Sequence, residues 1–173
     1  MIIGIDPGIN GALAFLDGDS TEVLDLPKVA KSSGKGNEIN PYELWSMLTK
    51  YPPGVPVYLE KVHAGVFGGR PGRRCPLCKQ MRKQSMGAVS AFGFGDTFGC
   101  IRSVCACTGN PLHLVAPPTW KKAFGLIGVD KDRPRTLALQ RFPALSGELK
   151  RKKDLDRAHA LLIALYGQME GSS

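Results

Sequence analysis

The first quarter of the chain alternates short apolar runs with turn signals. Ile2, Ile3 and Ile5 form one run that ends at Asp6 and is followed by Pro7-Gly8. Ala12 to Leu16 forms a second, closed by Asp17-Gly18, and Val23 to Leu26 forms a third. Runs of this length between turns predict three strands in an antiparallel meander. Residues 27–39 are polar and rich in Gly, Ser and Lys, which predicts a loop. Asn40 then has the character of a helix N-cap, with Pro41 at the first helical position and Glu43 at capping-box spacing. The helix extends to about Lys50 and carries Leu44, Trp45 and Leu48. Beyond Tyr51-Pro52-Pro53-Gly54, Val55 to Glu60 is again a strand that ends in a carboxylate. A return through a helix lays such a strand parallel to an earlier one.

Residues 61–84 hold Gly, Pro and Arg without periodicity, and a stretch this long without structure is functional or mobile. Residues 85–108 predict a helix rich in small residues, carrying Met86, Val89, Phe92, Phe98, Ile101 and Val104, with glycines that weaken its middle. Leu112 to Val115 is a fifth strand, and Pro117-Pro118-Thr119 opens a short helix with Trp120, Lys121 and Lys122. Helices at about 134–142 and 155–166 follow, separated by a basic stretch. Five strands interleaved with helices predict one α/β domain over residues 1–173, a mixed sheet with helices on its faces.

Composition adds a partner class. The chain has 173 residues, enough to bury a sizeable core, and a hydrophobic content of 43%, ordinary for a globular protein. No run approaches the roughly 18 apolar residues of a membrane span, and no signal-peptide pattern opens the chain, so an intracellular, unsecreted protein is expected. The net charge is +8, which favours a polyanionic partner, nucleic acid first. Lys61, Arg70, Arg73, Arg74, Lys79, Arg82 and Lys83 fall in one segment without acidic residues, and Lys150 to Lys153 form a second cluster. The five cysteines are odd in number and read as reduced thiols. Cys75-Pro76-Leu77-Cys78 has the spacing of half a zinc site, but no second CxxC completes it.

The candidate chemistry lies in carboxylates. Asp6 and Glu60 each close an apolar strand. If those strands are parallel neighbours, both side chains reach one end of the sheet. A third acid from a helix packed on that sheet would complete a like-charge cluster that a cation must neutralise. Oxygen-rich ligands favour magnesium or manganese over zinc. Asp154, Asp156 and His159 stand where such a helix begins.

The segments IGIDPGINGALAFLD, VYLEKV, PPTWKKAFGL and KKDLDRAHALLIALYG together resemble the RuvC-type Holliday-junction resolvases, of the RNase H-like (retroviral integrase) superfamily. WKKAFGL and the closing motif are most similar to phage, bacterial and plant chloroplast members. The resemblance implies a five-stranded mixed sheet in the order 3-2-1-4-5. It implies a homodimer that nicks two opposed strands of a four-way DNA junction, leaving 5′-phosphate and 3′-hydroxyl ends. The cofactor would be Mg2+, with Mn2+ able to substitute, as two ions about 4 Å apart.

Of the four ligands implied, the first two map to Asp6 and Glu60. The last two are compatible with two spacings. Three apart selects Asp156 and His159, on one helix face. Five apart, in a pattern resembling KKDxxRAEA, selects Asp154 and His159, and the flanking residues fit this second pattern better. Asp154 is therefore the expected partner of His159, with Asp156 as the alternative. His159 stands where an acid is usual; it would ligate through a neutral imidazole or act on the attacking water. Lys121 matches a lysine near the scissile phosphate, and Lys122 would share its role.

The resemblance also places junction contacts in a basic loop at about 61–84. His63 and Phe67 would meet bases, and Arg70, Arg73, Arg74, Arg82 and Lys83 phosphates. Helix 85–108 would supply a dimer face. Two alternatives share these motifs: an RNase H-like nuclease with relaxed specificity for flaps and forks, and a nuclease-dead protein that binds branched DNA.

Overall fold

The computed structural model describes residues 1–18, 20–62, 77–78 and 87–171. The meander forms as expected from β1 (Ile2–Asp6), β2 (Ala12–Asp17) and β3 (Ser20–Asp25), paired antiparallel in that order. Residues 27–39, expected to be a loop, instead contain a two-stranded hairpin of β4 (Lys28–Ala30) and β5 (Asn37–Ile39). All three β4 residues are exposed, so the apolar alternation that announces a strand is missing there.

Helix α1 (Pro41–Leu48) starts as its cap residues dictate: the Asn40 side chain accepts from the Glu43 backbone N–H and donates to the Glu43 carboxylate. The chain returns as β6 (Val57–Glu60), parallel to β1. After α2 (Ala88–Cys107) comes β7 (Leu112–Val115), parallel to β6. Helices α3 (Pro117–Ala123) and α4 (Arg133–Arg141) follow. A 3-10 turn over Lys152–Asp154 then leads into α5 (Leu155–Gly171).

The main sheet has the order β3-β2-β1-β6-β7. Numbering its strands alone, without the separate hairpin, gives the expected order 3-2-1-4-5.

Strand periodicity sorts the core into two layers. Ile3, Ile5, Leu13, Phe15, Val57 and Leu59 pack with Leu44, Leu48, Ile101 and Cys105, on the face covered by α1 and α2. Ala12, Ala14, Leu16, Val23 and Tyr58 pack with Trp120, Ala138 and the α5 run Ala160–Ala164 on the other. Leu161, Leu162 and Ile163 are fully buried, and each contributes about 1.5–3 kcal/mol by leaving water.

Gly4 makes this second layer thin. A Cβ at residue 4 would overlap the Ala160 carbonyl oxygen and the Ala164 backbone nitrogen, so α5 lies directly on β1. Side chains alternate along a strand, so Asp6 shares the α5 side with Gly4, and Glu60 shares it with Tyr58. Register pairs Gly4 with Tyr58 across the two parallel strands, which sets Asp6 and Glu60 side by side at their C-terminal ends.

Cys105 is buried and Cys107 exposed, so this pair on α2 does not converge on one ion. Burial pushes the Cys105 thiol up to about 12, the behaviour of a packing residue. Cys78 is exposed, and Cys75 lies outside the described residues. No described helix is long and apolar enough to cross a membrane.

Candidate metal centre

The sheet delivers two carboxylates to one edge, and α5 supplies the partners from above. Asp6, Asp156 and His159 each offer a ligand atom, and the three atoms lie within 4.8 Å of one another. Asp156 and His159 sit three residues apart on α5 and so face the same way. His159 Nδ1 is 3.0 Å from Asp6 Oδ2. Both side chains are largely buried, which shields the contact from competing water.

Glu60 stands beside this group. Burial and then the nearby Asp6 charge push its carboxyl above the ordinary carboxylate value, while the Trp120 hydrogen bond, Lys121 and His159 oppose the rise. The Trp120 Nε1–H donates to Glu60 Oε2 at 2.8 Å. Trp120 is fully buried; its indole can only donate, so an acceptor at its tip is obligatory. The indole also lies edge-on to the His159 ring, with centroids 5.4 Å apart, and Lys121 Nζ stands 5.2 Å from the indole ring centre. Trp120 thus touches three site residues. It was legible as part of PPTWKKAFGL, but nothing in the spacing distinguished it from a core aromatic.

Asp156 is also pushed up, by burial first and by Asp6 second, against a smaller pull from His159. Two half-buried carboxylates whose pKa values are both raised, next to a third acid, form a site short of positive charge. The donor set of carboxylate oxygens with one imidazole suits Mg2+ or Mn2+, so the residues fit the implied cofactor.

Asp154, the expected partner of His159, is not in this group. Its side chain is 4% exposed and its oxygens accept from the Arg151 guanidinium, at 2.7 Å from Nη2, and from the Arg151 backbone N–H at 2.7 Å. That pairing holds its carboxyl below the ordinary value. The 3-10 turn is the physical reason: it carries Asp154 back onto its own N-cap residue before α5 begins. The spacing of three, not five, is the one that converges on Asp6.

A second arginine steadies the same region. Arg157 Nε donates to Asp25 Oδ1 at 2.6 Å, and its Nη1 bonds the Glu148 carboxylate and backbone carbonyl. The guanidinium therefore ties the start of α5 to β3. Neither Arg151 nor Arg157 was singled out from sequence, because a basic run before a helix does not disclose which acids it meets.

Lys121 is half-buried and Lys122 exposed. The proposed DNA contacts His63, Phe67, Arg70, Arg73, Arg74, Arg82 and Lys83 all lie outside the described residues.

No protein-family model matches the sequence, and no match arises among curated proteins. Solved structures do match along nearly the whole length. Thermus thermophilus RuvC in complex with a Holliday junction substrate superposes with a TM-score of 0.54 at 19% identity, over 97% of this chain and 95% of that one. A further T. thermophilus RuvC structure gives 0.53 at 18% identity, over 98% and 96%. With its mixed sheet, strand order and helix placement, the chain has the RNase H-like fold that RuvC also has.

Proposed function

We propose that this chain is a metal-dependent endodeoxyribonuclease that resolves four-way DNA junctions as a homodimer. The convergence of Asp6, Asp156 and His159 beside Glu60, at the C-terminal edge of β1 and β6, carries this proposal. A protein that only bound DNA would have no need to bury acids against one another at a basic surface. The fold neighbour that holds a Holliday junction substrate supports the choice of DNA form.

Asp6, Glu60, Asp156 and His159 would hold two Mg2+ ions, with Mn2+ as a substitute, and Asp154 supports the turn instead. Such ions, when bound, would supply activation of a water at neutral pH and neutralisation of developing negative charge. Trp120 fixes the Glu60 carboxylate. Lys121, seated against the indole, offers its ammonium to the charge that develops on the phosphate. Lys122 contacts the adjoining backbone. Residues 61–84 carry the remaining junction contacts, His63 and Phe67 with bases and the arginines with phosphates. Helix α2 leaves Val89 and Phe92 exposed, which suits a dimer face that sets two centres against opposed strands. Each nick would leave a 5′-phosphate and a 3′-hydroxyl.

The test compares a four-way junction with a flap, a Y-fork and a linear duplex, each with Mg2+. Junction cleavage at least about ten-fold faster than the others is expected, and equal rates on all four would defeat junction selectivity. Asp6→Asn should abolish cutting while junction binding persists. Retained cutting by that variant would remove Asp6 from the site.

A further inference from the structure

Lys28 of the β4–β5 hairpin and the basic turn before α5 are not used by the metal chemistry, yet they line one groove. Between them lies an open groove of about 530 Å³, within the size range of ligand clefts, lined by Asn10, Lys28, Arg151, Lys152, Lys153 and Asp156 among others. Lys28, on β4, donates to Asn10 Oδ1 at 3.3 Å, which orients its ammonium at the groove wall.

Basic groups outnumber acidic ones in this groove, with Lys28, Arg151, Lys152 and Lys153 against Asp25, Asp154 and Asp156. Two of the three carboxylates are paired within the protein, Asp25 with Arg157 and Asp154 with Arg151, and Asp156 is the third. Among the described residues, Lys28, Lys152 and Lys153 have no carboxylate within ion-pair distance. Asp156 lines the groove and belongs to the metal cluster, so the groove opens onto that centre. It does so from the β3 side. Lys121 flanks the centre from α3, beyond β6, and Lys122 is the next residue on that helix.

We propose that this groove is a second DNA-backbone seat. It holds the phosphodiesters on one side of the cut strand, while the α3 lysines hold those on the other. The ligand class is the backbone of a nucleic-acid strand, bound through phosphates and without base contacts. This inference rests on the nuclease assignment and extends it: the hairpin becomes part of the substrate track, and the cut strand crosses the sheet edge from α3 towards β3.

The test uses the full chain. Binding of a fluorescent four-way junction, a linear duplex and a single strand is measured by anisotropy across a salt series with Ca2+. The groove variant is Lys28→Ala/Lys152→Ala/Lys153→Ala. The control, Lys35→Ala/Lys50→Ala/Lys150→Ala, removes the same charge from exposed lysines that do not line the groove. Circular dichroism confirms that both variants fold.

The groove variant should bind about ten-fold more weakly, with a log K against log salt slope shallower by about 2, and the control should lose less than about three-fold. Methylphosphonates on either side of the cut should weaken the wild type and the control, whereas in the groove variant those on the groove side should have no effect and those on the α3 side should still weaken binding. Equal losses in the two triple variants would overturn the seat, as would groove-side methylphosphonate sensitivity that survives in the groove variant. Displacement of DNA from the groove by a free deoxymononucleotide at equimolar concentration would make it a small-anion site and overturn it too. If the wild type binds linear DNA as well as the junction, the resolvase assignment fails while the groove is still judged by the linear ligands. If it binds no DNA, both fail.

Discussion

Asp154 and Asp156 differ by two positions and by almost everything else. Asp154 closes a 3-10 turn, is buried, and has its oxygens taken by Arg151. Asp156 opens α5, faces Asp6 and His159, and has no arginine to answer its charge among the described residues. One carboxyl is held below its ordinary value and the other above it. The lesson is that a satisfied buried acid builds structure, whereas a frustrated one waits for a ligand.

The largest effect that would separate them is on activity. On the proposed reading, Asp156→Asn should lower Mg2+-dependent cleavage by about a hundred-fold or more, because the proposed centre loses a ligand. Isothermal titration with Mn2+ should show weakened metal binding in the same variant. Asp154→Asn should keep cleavage per folded molecule within about three-fold. The opposite ranking in a single-turnover assay would return Asp154 to the ligand set.

Stability should rank them the other way. Asp154→Asn loses a charged cap at a helix entry and should cost about 1 kcal/mol, read as a melting point lower by about 3 °C. No change on melting would mean that the Arg151 contact is idle.

The smallest effect is the most discriminating, because its sign reverses between the two residues. A carboxyl whose folded pKa is lowered stabilises the fold above its ordinary value and loses that contribution as pH falls through the folded pKa. The Asp154→Asn deficit should therefore be full at neutral pH and fade below about pH 4, the ordinary carboxylate value. A raised carboxyl does the reverse: its ionised form penalises the metal-free fold once pH rises through the folded pKa. With metal chelated, Asp156→Asn should melt one or two degrees above wild type at about pH 8, and the advantage should vanish in the ordinary carboxylate range. Parallel melting curves across pH for both variants would erase the distinction.

Much of this was legible in the chain because local and tertiary preferences agree there. The Ile2–Asp6 run, the Asn40-Pro41-Glu43 cap and the Val57–Glu60 return each carry their own signal, and together they bring Asp6 and Glu60 to one edge. Helix α5 was visible from its apolar run, although it continues past Tyr166 to Gly171 through a stretch with two glycines and no clear periodicity. The β4–β5 hairpin was hidden because its strands have three residues each and almost no buried face. The choice between Asp154 and Asp156 was hidden for a different reason. Sequence spacing assumes regular helix, and the turn in front of α5 breaks that assumption. Which acid Arg151 would capture is a property of the folded turn alone.

Gly4 has a consequence for how the centre is held at its working size. The distance between Asp6 and His159 depends on how closely two backbones lie, and at their nearest point the only filler is a hydrogen atom. Position 4 therefore acts as a zero-thickness shim, and any side chain there would jack the helix off the strand and widen the gap between Asp6 and His159. The calibration of this centre resides in a residue that has no functional group at all.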